Sequence, residues 1–170
     1  TRSLCDWSSD VCSSDLAEIW PSAIGLSEFL AGNDFVRPGD PVLEIGCGLG
    51  LPGIVAGKLG AKMTFTDYLP EPLRFAEHNW KLNHQTAADF KILDWRFPEE
   101  SFRSGLILAA DVAYERRSFG DLVQAFRRLI TPGGTLLLAE PNRVFAKDFL
   151  LELPAMGFEV NKNQVFVQRH

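Results

Sequence analysis

Cysteine, histidine and long apolar runs are scarce in this sequence. Its 170 residues include three cysteines and three histidines, without the spacing of a disulfide scaffold or a metal site. No apolar run approaches the roughly 18 residues of a membrane-spanning helix, so no membrane partner is expected. Basic residues number 17 against 22 acidic ones, a balance that argues against general nucleic-acid binding. We expect one domain from the length, a monomer, and a cytoplasmic location because no targeting segment is visible.

The first 16 residues differ in character from the rest of the chain. They read TRSLCDWSSDVCSSDL, with five serines, two cysteines and no apolar period. Residues 6–16 resemble a translated sequencing adapter, and a serine-rich tail or a metal or disulfide pair of Cys5 and Cys12 is the alternative. We therefore interpret residues 1–16 as non-native and residues 17–170 as one domain that lacks its natural N-terminal part. Cys47 is then the one remaining cysteine.

Helix-like and strand-like patterns alternate from residue 22 onward. Ser22 is the expected N-cap of the first helix. Alternation of this kind predicts a parallel, doubly wound α/β sheet, and two closely spaced strands at the end predict an antiparallel hairpin. The predicted helices span residues 22–31, 52–59, 71–82, 119–130 and 145–155; the parallel strands span 42–45, 62–66, 90–93, 105–110 and 135–139; the hairpin pairs 158–161 with 165–168.

Three glycines, Gly46, Gly48 and Gly50, follow the first predicted strand and precede a helix. Glycine permits tight turns and a close approach of the backbone to a ligand, and open α/β sheets bind ligands beyond the carboxyl ends of their strands. The loop therefore predicts the surface on which a cofactor rests. Gly48, Gly50 and Gly53 also satisfy the dinucleotide pattern G-x-G-x-x-G. An acid inside the strand, Glu44, favours a nucleoside sulfonium over a dinucleotide.

Acidic residues also end the second and third predicted strands. Asp67 comes about 20 residues after the glycine loop, where a carboxylate accepts hydrogen bonds from ribose hydroxyls. The alternative is a turn or helix cap before Pro70. Asp94 could accept from an adenine amino group while the Trp95 indole packs on the ring. The alternative is a turn aspartate beside a core tryptophan.

Four segments carry a resemblance to a known family. They are residues 18–23 (EIWPSA), 43–53 (LEIGCGLGLPG), 94–95 (DW) and 110–114 (ADVAY). Together they resemble class I S-adenosylmethionine-dependent methyltransferases. More narrowly, they are similar to the seven-stranded lysine-methyltransferase family that includes the METTL21-type and electron-transfer-flavoprotein methyltransferases. The resemblance covers nearly all of residues 17–170, and it implies a Rossmann-like doubly wound sheet of seven strands, five parallel plus the hairpin.

The resemblance also implies roles for particular residues, with S-adenosylmethionine as the cofactor. The implied cofactor-binding residues are Trp20, Glu44, Gly46, Cys47, Gly48, Gly50, Asp67, Asp94, Trp95 and Ala110. Asp111 and Tyr114 would lie where the acceptor nitrogen enters and would be the catalytic pair, and no metal ligand is implied. The structural alternative is that Asp111 caps the turn after the fourth strand and Tyr114 packs on the next helix.

These observations favour an N-methyltransferase acting on a lysine side chain of a protein substrate. A small-molecule acceptor on the same fold remains open, because a fold does not determine its substrate. So does a cofactor-binding module without catalysis. A nicotinamide dehydrogenase is the remaining alternative, and it depends on the dinucleotide pattern alone.

Overall fold

The computed structural model describes residues 18–141 and 144–167, without the side chains of residues 144–146. Helices and strands alternate along these residues, as the sequence predicts. The helices are α1 (Pro21–Ala31), α2 (Leu51–Lys58), α3 (Pro70–Asn83), α4 (Phe119–Leu129) and α5 (Val144–Glu152). The strands are β1 (Pro41–Ile45), β2 (Lys62–Asp67), β3 (Asp89–Ile92), β4 (Ser104–Ala110) and β5 (Ile130–Ala139). None of the helices in the described part is long and apolar enough to cross a membrane.

The strands form one parallel sheet in the order β3-β2-β1-β4-β5. Leu43 of β1 lies opposite Thr64 on one side and Ile107 on the other. Successive strands therefore extend the sheet outward from β1 to β3 on one side, and from β4 to β5 on the other. The carboxyl ends of β1 and β4 form the switch point at which ligands bind in folds of this kind.

Apolar side chains of the sheet pack against helices on both faces. Leu43 and Ile45 face a core that includes Phe126 of α4 and Phe149 of α5. Val42 faces a second core, which α1, α2 and α3 cover with residues such as Leu30. Because side chains alternate between the faces of a strand, this register directs Glu44 toward the α2 side.

The first helix begins one residue earlier than predicted, and the predicted cap is wrong. Trp20 occupies the N-cap position, and Pro21 opens α1 with no side-chain cap. Proline suits this position because it lacks the N–H that would otherwise go unbonded. Ser22 therefore lies inside the helix, where its hydroxyl is buried without a hydrogen-bond partner among the described residues.

The fifth strand is longer than predicted, and the predicted hairpin is not confirmed. Ile130 already pairs with Ser104, and a register shift accommodates the residues before Thr135. Residues 158–167 form no strand, and Gln168 lies outside the described residues. Val165 and Val167 instead lie close to Gly25 of α1. The absent side chain of this glycine lets the tail rest on α1, and a cavity of about 1380 Å³ lies among α1, β5, α5 and the tail.

Candidate active site

The glycine loop turns sharply at the carboxyl end of β1. Gly46, Gly48 and Gly50 have φ of 63°, 51° and 77°, values that side chains disfavour. The Cys47 N–H donates to the Thr66 carbonyl at 2.9 Å, which ties the loop to β2. A Cβ at Gly48 would meet no atom of the described residues within 4 Å. The loop is therefore tied to β2, while the side of Gly48 that would carry a side chain is left open by the described residues.

Asp67, at the end of β2, bridges this loop and the start of α3. One carboxylate oxygen accepts from the Gly48 N–H at 3.1 Å, and the other accepts from the Leu69 N–H at 3.2 Å. Burial raises the pKa of Asp67, while these backbone donors act in the opposite direction. Each carboxylate oxygen has two lone pairs, so Asp67 retains acceptor capacity for a polyol.

Glu44 lies beneath the glycine loop with only 2% of its surface exposed. Its Oε2 accepts from the Gly53 N–H at 3.0 Å and so ties α2 to β1. Burial raises the pKa of Glu44 to about 8; the Gly53 N–H opposes this shift, and the charge of Asp67 adds to it. Glu44 thus makes a structural contact that the sequence did not indicate, and its contact with a ligand stays a prediction.

Gly53 has a packing role that accounts for the dinucleotide-like spacing. A Cβ at Gly53 would lie 2.3 Å from Phe65 Cε1 and 2.4 Å from Glu44 Oε2. Only glycine lets α2 approach β1 and β2 this closely. The third glycine of the G-x-G-x-x-G match therefore serves helix–strand packing, a role that by itself identifies no particular ligand.

A small cleft brings together most of the predicted cofactor-binding residues. Its volume is about 40 Å³, and residues 18–20 and Ala23 cover it. The predicted residues that line it are Trp20, Glu44, Gly46, Cys47, Gly48, Gly50 and Ala110. These residues come from the start of α1, the β1 loop and the end of β4, which the fold joins at the switch point.

Cys47 lines this cleft as a buried free thiol. Burial, with the charges of Glu44 and Asp67, raises its pKa well above the ordinary value. A thiol in this state is a poor nucleophile, which agrees with a packing role. No group of three or more potential metal ligands occurs among residues 18–141 and 144–167.

Trp95 and Asp94 follow β3, and their surroundings differ. The Trp95 ring packs on the core between β1 and α4 and lies 3.9 Å from the position of a Cβ on Gly46. Both oxygens of Asp94 accept from the Arg96 guanidinium, at 2.9 and 2.6 Å. This contact lowers the pKa of Asp94. Sequence reasoning missed Arg96, whose guanidinium also lies 5.5 Å from the centre of the Tyr68 ring.

Residues 111–114, which the sequence predicts to receive the methyl acceptor and which we call the acceptor loop, leave the carboxyl end of β4. Asp111 has a φ of 57°, the one positive φ among the described non-glycine residues. Its N–H donates to the Ala139 carbonyl at 2.9 Å. Val112 and Ala113 are buried, whereas Tyr114 is 46% exposed. Left-handed backbone at an aspartate is uncommon, and such strain concentrates at functional sites.

Glu140, directly after β5, is a further residue of this site that sequence reasoning missed. Its Oε1 accepts from the N–H groups of both Val112 and Ala113, each at 2.9 Å. The available signal was its position, because an acid that directly follows a parallel strand lies at the same sheet edge as the glycine loop.

Comparisons with known proteins agree with this geometry. A family model described as lysine methyltransferase matches residues 6–154. The match begins inside the segment interpreted as an adapter, and that interpretation stays a prediction. Mouse protein N-lysine methyltransferase METTL21A is 39% identical over 153 residues, which are 86% of this chain and 70% of that protein.

Two further proteins extend the comparison. Rat histone-arginine methyltransferase METTL23 is 31% identical over 165 residues, covering 86% of this chain and 73% of that protein. Among solved structures, the ribosomal protein L11 methylase of Lactobacillus delbrueckii subsp. bulgaricus matches with a TM-score of 0.66 and 20% identity, over 84% of this chain and 72% of that chain. At this identity, the structural match supports the parallel α/β fold alone.

Proposed function

The chain belongs to the lysine methyltransferase family, and we propose that it transfers the methyl group of S-adenosylmethionine to the side-chain amine of a lysine in a protein. The observation that carries this proposal is the contact between two loops. A Cβ on Gly46 of the glycine loop would lie 3.0 Å from Val112 Cγ1 of the acceptor loop. A cofactor on the first loop and an amine at the second would therefore be close neighbours. The name of mouse METTL21A supports lysine as the acceptor.

The residues present fit S-adenosylmethionine. The open backbone at Gly48 admits a ligand, and the Asp67 carboxylate beside it suits ribose hydroxyls. Trp20 and Ala110 line the same cleft and would supply apolar contacts to the cofactor. Asp94 is proposed for the adenine amino group, a role that requires Arg96 to share its carboxylate.

The protein contributes to this reaction mainly by orienting the lysine amine relative to the methyl group of the cofactor. When bound, S-adenosylmethionine supplies a methyl group that its positive sulfur already activates for in-line displacement. A lysine amine has a pKa of about 10.4 in water. It must lose its proton to the solvent before its nitrogen lone pair can attack the methyl group. Removal of the amine from water favours its neutral form. We assign to Asp111 the alignment of the amine through a hydrogen bond, and to Tyr114 part of the wall of the acceptor pocket.

The test uses radiolabelled cofactor. The full chain is incubated with methyl-labelled S-adenosylmethionine and a lysate, and labelled proteins are hydrolysed. We expect methyl-lysine from a discrete protein band, and Asp111→Asn should lower the yield by about 100-fold while cofactor affinity is kept. Asp121→Asn, on an exposed position of α4, is the matched control. Label in small molecules or nucleic acid only, or cofactor binding without transfer, would contradict the proposal.

Arginine is a second candidate acceptor. Rat METTL23, named a histone-arginine methyltransferase, is 31% identical to this chain. A guanidinium is larger than an amine and keeps its charge at neutral pH, so alignment by Asp111 would resemble an ion pair. The same hydrolysate separates the two candidates, because methyl-arginine and methyl-lysine elute differently.

Further proposals concern the ends of the chain and its state in the cell. We propose that residues 1–16 are non-native, that the domain spans 17–170, and that the enzyme is a cytoplasmic monomer.

The predicted hairpin would pair with the outer edge of β5, where the cavity beside the tail offers space. Slow amide exchange along residues 158–168 would support pairing, and rapid exchange would exclude it.

A further inference from the structure

We propose that Glu140 is a positioning residue that holds the acceptor loop against the glycine loop. Its carboxylate accepts both N–H groups that follow Asp111, those of Val112 and Ala113, at 2.9 Å each. Both donor residues are buried, with 2% and 0% exposure. Water therefore offers no ready replacement for the carboxylate. The inference rests on the proposed function for its catalytic consequence.

The contacts around Glu140 connect it to the reacting region in two steps. Glu140 sets the path of the backbone at Val112, and the Val112 side chain packs on Gly46. The backbone one residue earlier is left-handed at Asp111. Strained backbone of this kind persists only where its surroundings determine it. The Ala139 carbonyl and the Glu140 carboxylate hold it from the end of β5.

The role follows from acceptor geometry more than from charge. One carboxylate oxygen receives both donors, and a glutamine carbonyl oxygen of the same length can do the same. A leucine of similar size cannot accept at all. Because misplacement by about 1 Å costs roughly 100-fold in rate, a loosened acceptor loop should slow transfer without weakening cofactor binding.

The experiment compares Glu140→Gln and Glu140→Leu with the wild-type chain. For Glu140→Leu we expect amide exchange at Val112 and Ala113 to be at least about tenfold faster. We also expect single-turnover methyl transfer to be about 100-fold slower, with the dissociation constant for S-adenosylmethionine within about twofold. Glu140→Gln should stay within about fivefold of wild type in all three measurements. Glu152→Leu, an exposed site at the end of α5, controls for loss of a glutamate.

Three results would overturn the inference. They are wild-type amide exchange in Glu140→Leu, wild-type transfer in Glu140→Leu, and equal loss of transfer in both variants, which would assign a chemical role to the charge. If Glu140→Leu does not fold, Glu140→Asp, shorter by one methylene, is judged by the same criteria. If the wild-type chain methylates no protein, the proposed function fails. Amide exchange alone then decides whether Glu140 holds the loop.

Discussion

Replacement of Glu44 by glutamine should make the stability of the protein less dependent on pH. Glu44 is almost fully buried, and burial raises its pKa from 4.5 to about 8. The folded protein therefore keeps a proton on this carboxyl at neutral pH, whereas the unfolded chain releases it. Glutamine stays neutral, and its carbonyl oxygen can accept the Gly53 N–H that Glu44 Oε2 accepts at 3.0 Å.

The sign and size of the effect follow from proton linkage. Between about pH 4.5 and pH 8 the folded state binds more protons at Glu44 than the unfolded state does, so the free energy of unfolding falls as pH rises. Below this range the contribution is fully present, and above it the loss is complete. At about 1.36 kcal/mol for each tenfold change in proton affinity, the loss is on the order of 5 kcal/mol. Glu44→Gln should escape it.

The assay is urea unfolding followed by tryptophan fluorescence at several values from pH 5 to pH 9. The stability difference between Glu44→Gln and wild type should be small at pH 5 and grow to several kcal/mol in favour of the variant above pH 8. Glu28→Gln, at an exposed site on α1, should follow wild type throughout. A difference between Glu44→Gln and wild type that stays constant with pH would refute the reasoning.

Three other predictions test the packing and electrostatics around the site. Gly53→Ala should destabilise the fold by about 1–3 kcal/mol in urea unfolding, because its Cβ would overlap Phe65 Cε1 at 2.3 Å. Gly120→Ala, on α4 with no atom of the described residues within 4 Å of the new Cβ, should instead be neutral or stabilising by up to about 1 kcal/mol. The raised pKa and burial of Cys47 predict that iodoacetamide at pH 8 leaves this thiol unmodified in the folded protein and alkylates it after unfolding, as peptide mapping would show. Arg96→Ala should leave the midpoint of urea unfolding unchanged, because the Arg96 side chain is exposed and solvent screens its ion pair with Asp94.

Much of the fold could be predicted because its signals are local. The apolar run of β4 and the glycines after β1 are each recognised from a few neighbouring residues. The predicted fourth strand and the predicted tight turn after the first strand are both confirmed. The parallel arrangement follows from the alternation of strands and helices. The predicted cap at Ser22 is wrong because proline at the preceding position starts the helix without a side-chain cap. A pattern alone does not distinguish these two ways to begin a helix.

Partners that are distant in sequence could not be predicted. Glu140 contacts Val112 across 28 positions, and Glu44 contacts Gly53 because a buried strand lies under a helix. Such pairs depend on strand order, which the sequence pattern leaves open. The hairpin prediction used the short spacing between two strand-like segments alone. In the structure, Val165 and Val167 lie instead against α1 at Gly25.

The sheet topology itself explains why a cofactor loop and an acceptor loop meet. β1 and β4 are neighbours although helices and two strands separate them in sequence, so the loops that follow them emerge side by side. Side-chain volume at Gly46 would separate them, since its Cβ would lie 3.0 Å from Val112. The glycine at this position therefore permits the close contact between the glycine loop and the acceptor loop. An enzyme that relies on orientation needs both loops at fixed positions relative to each other, and the paired, buried strands β1 and β4 fix them.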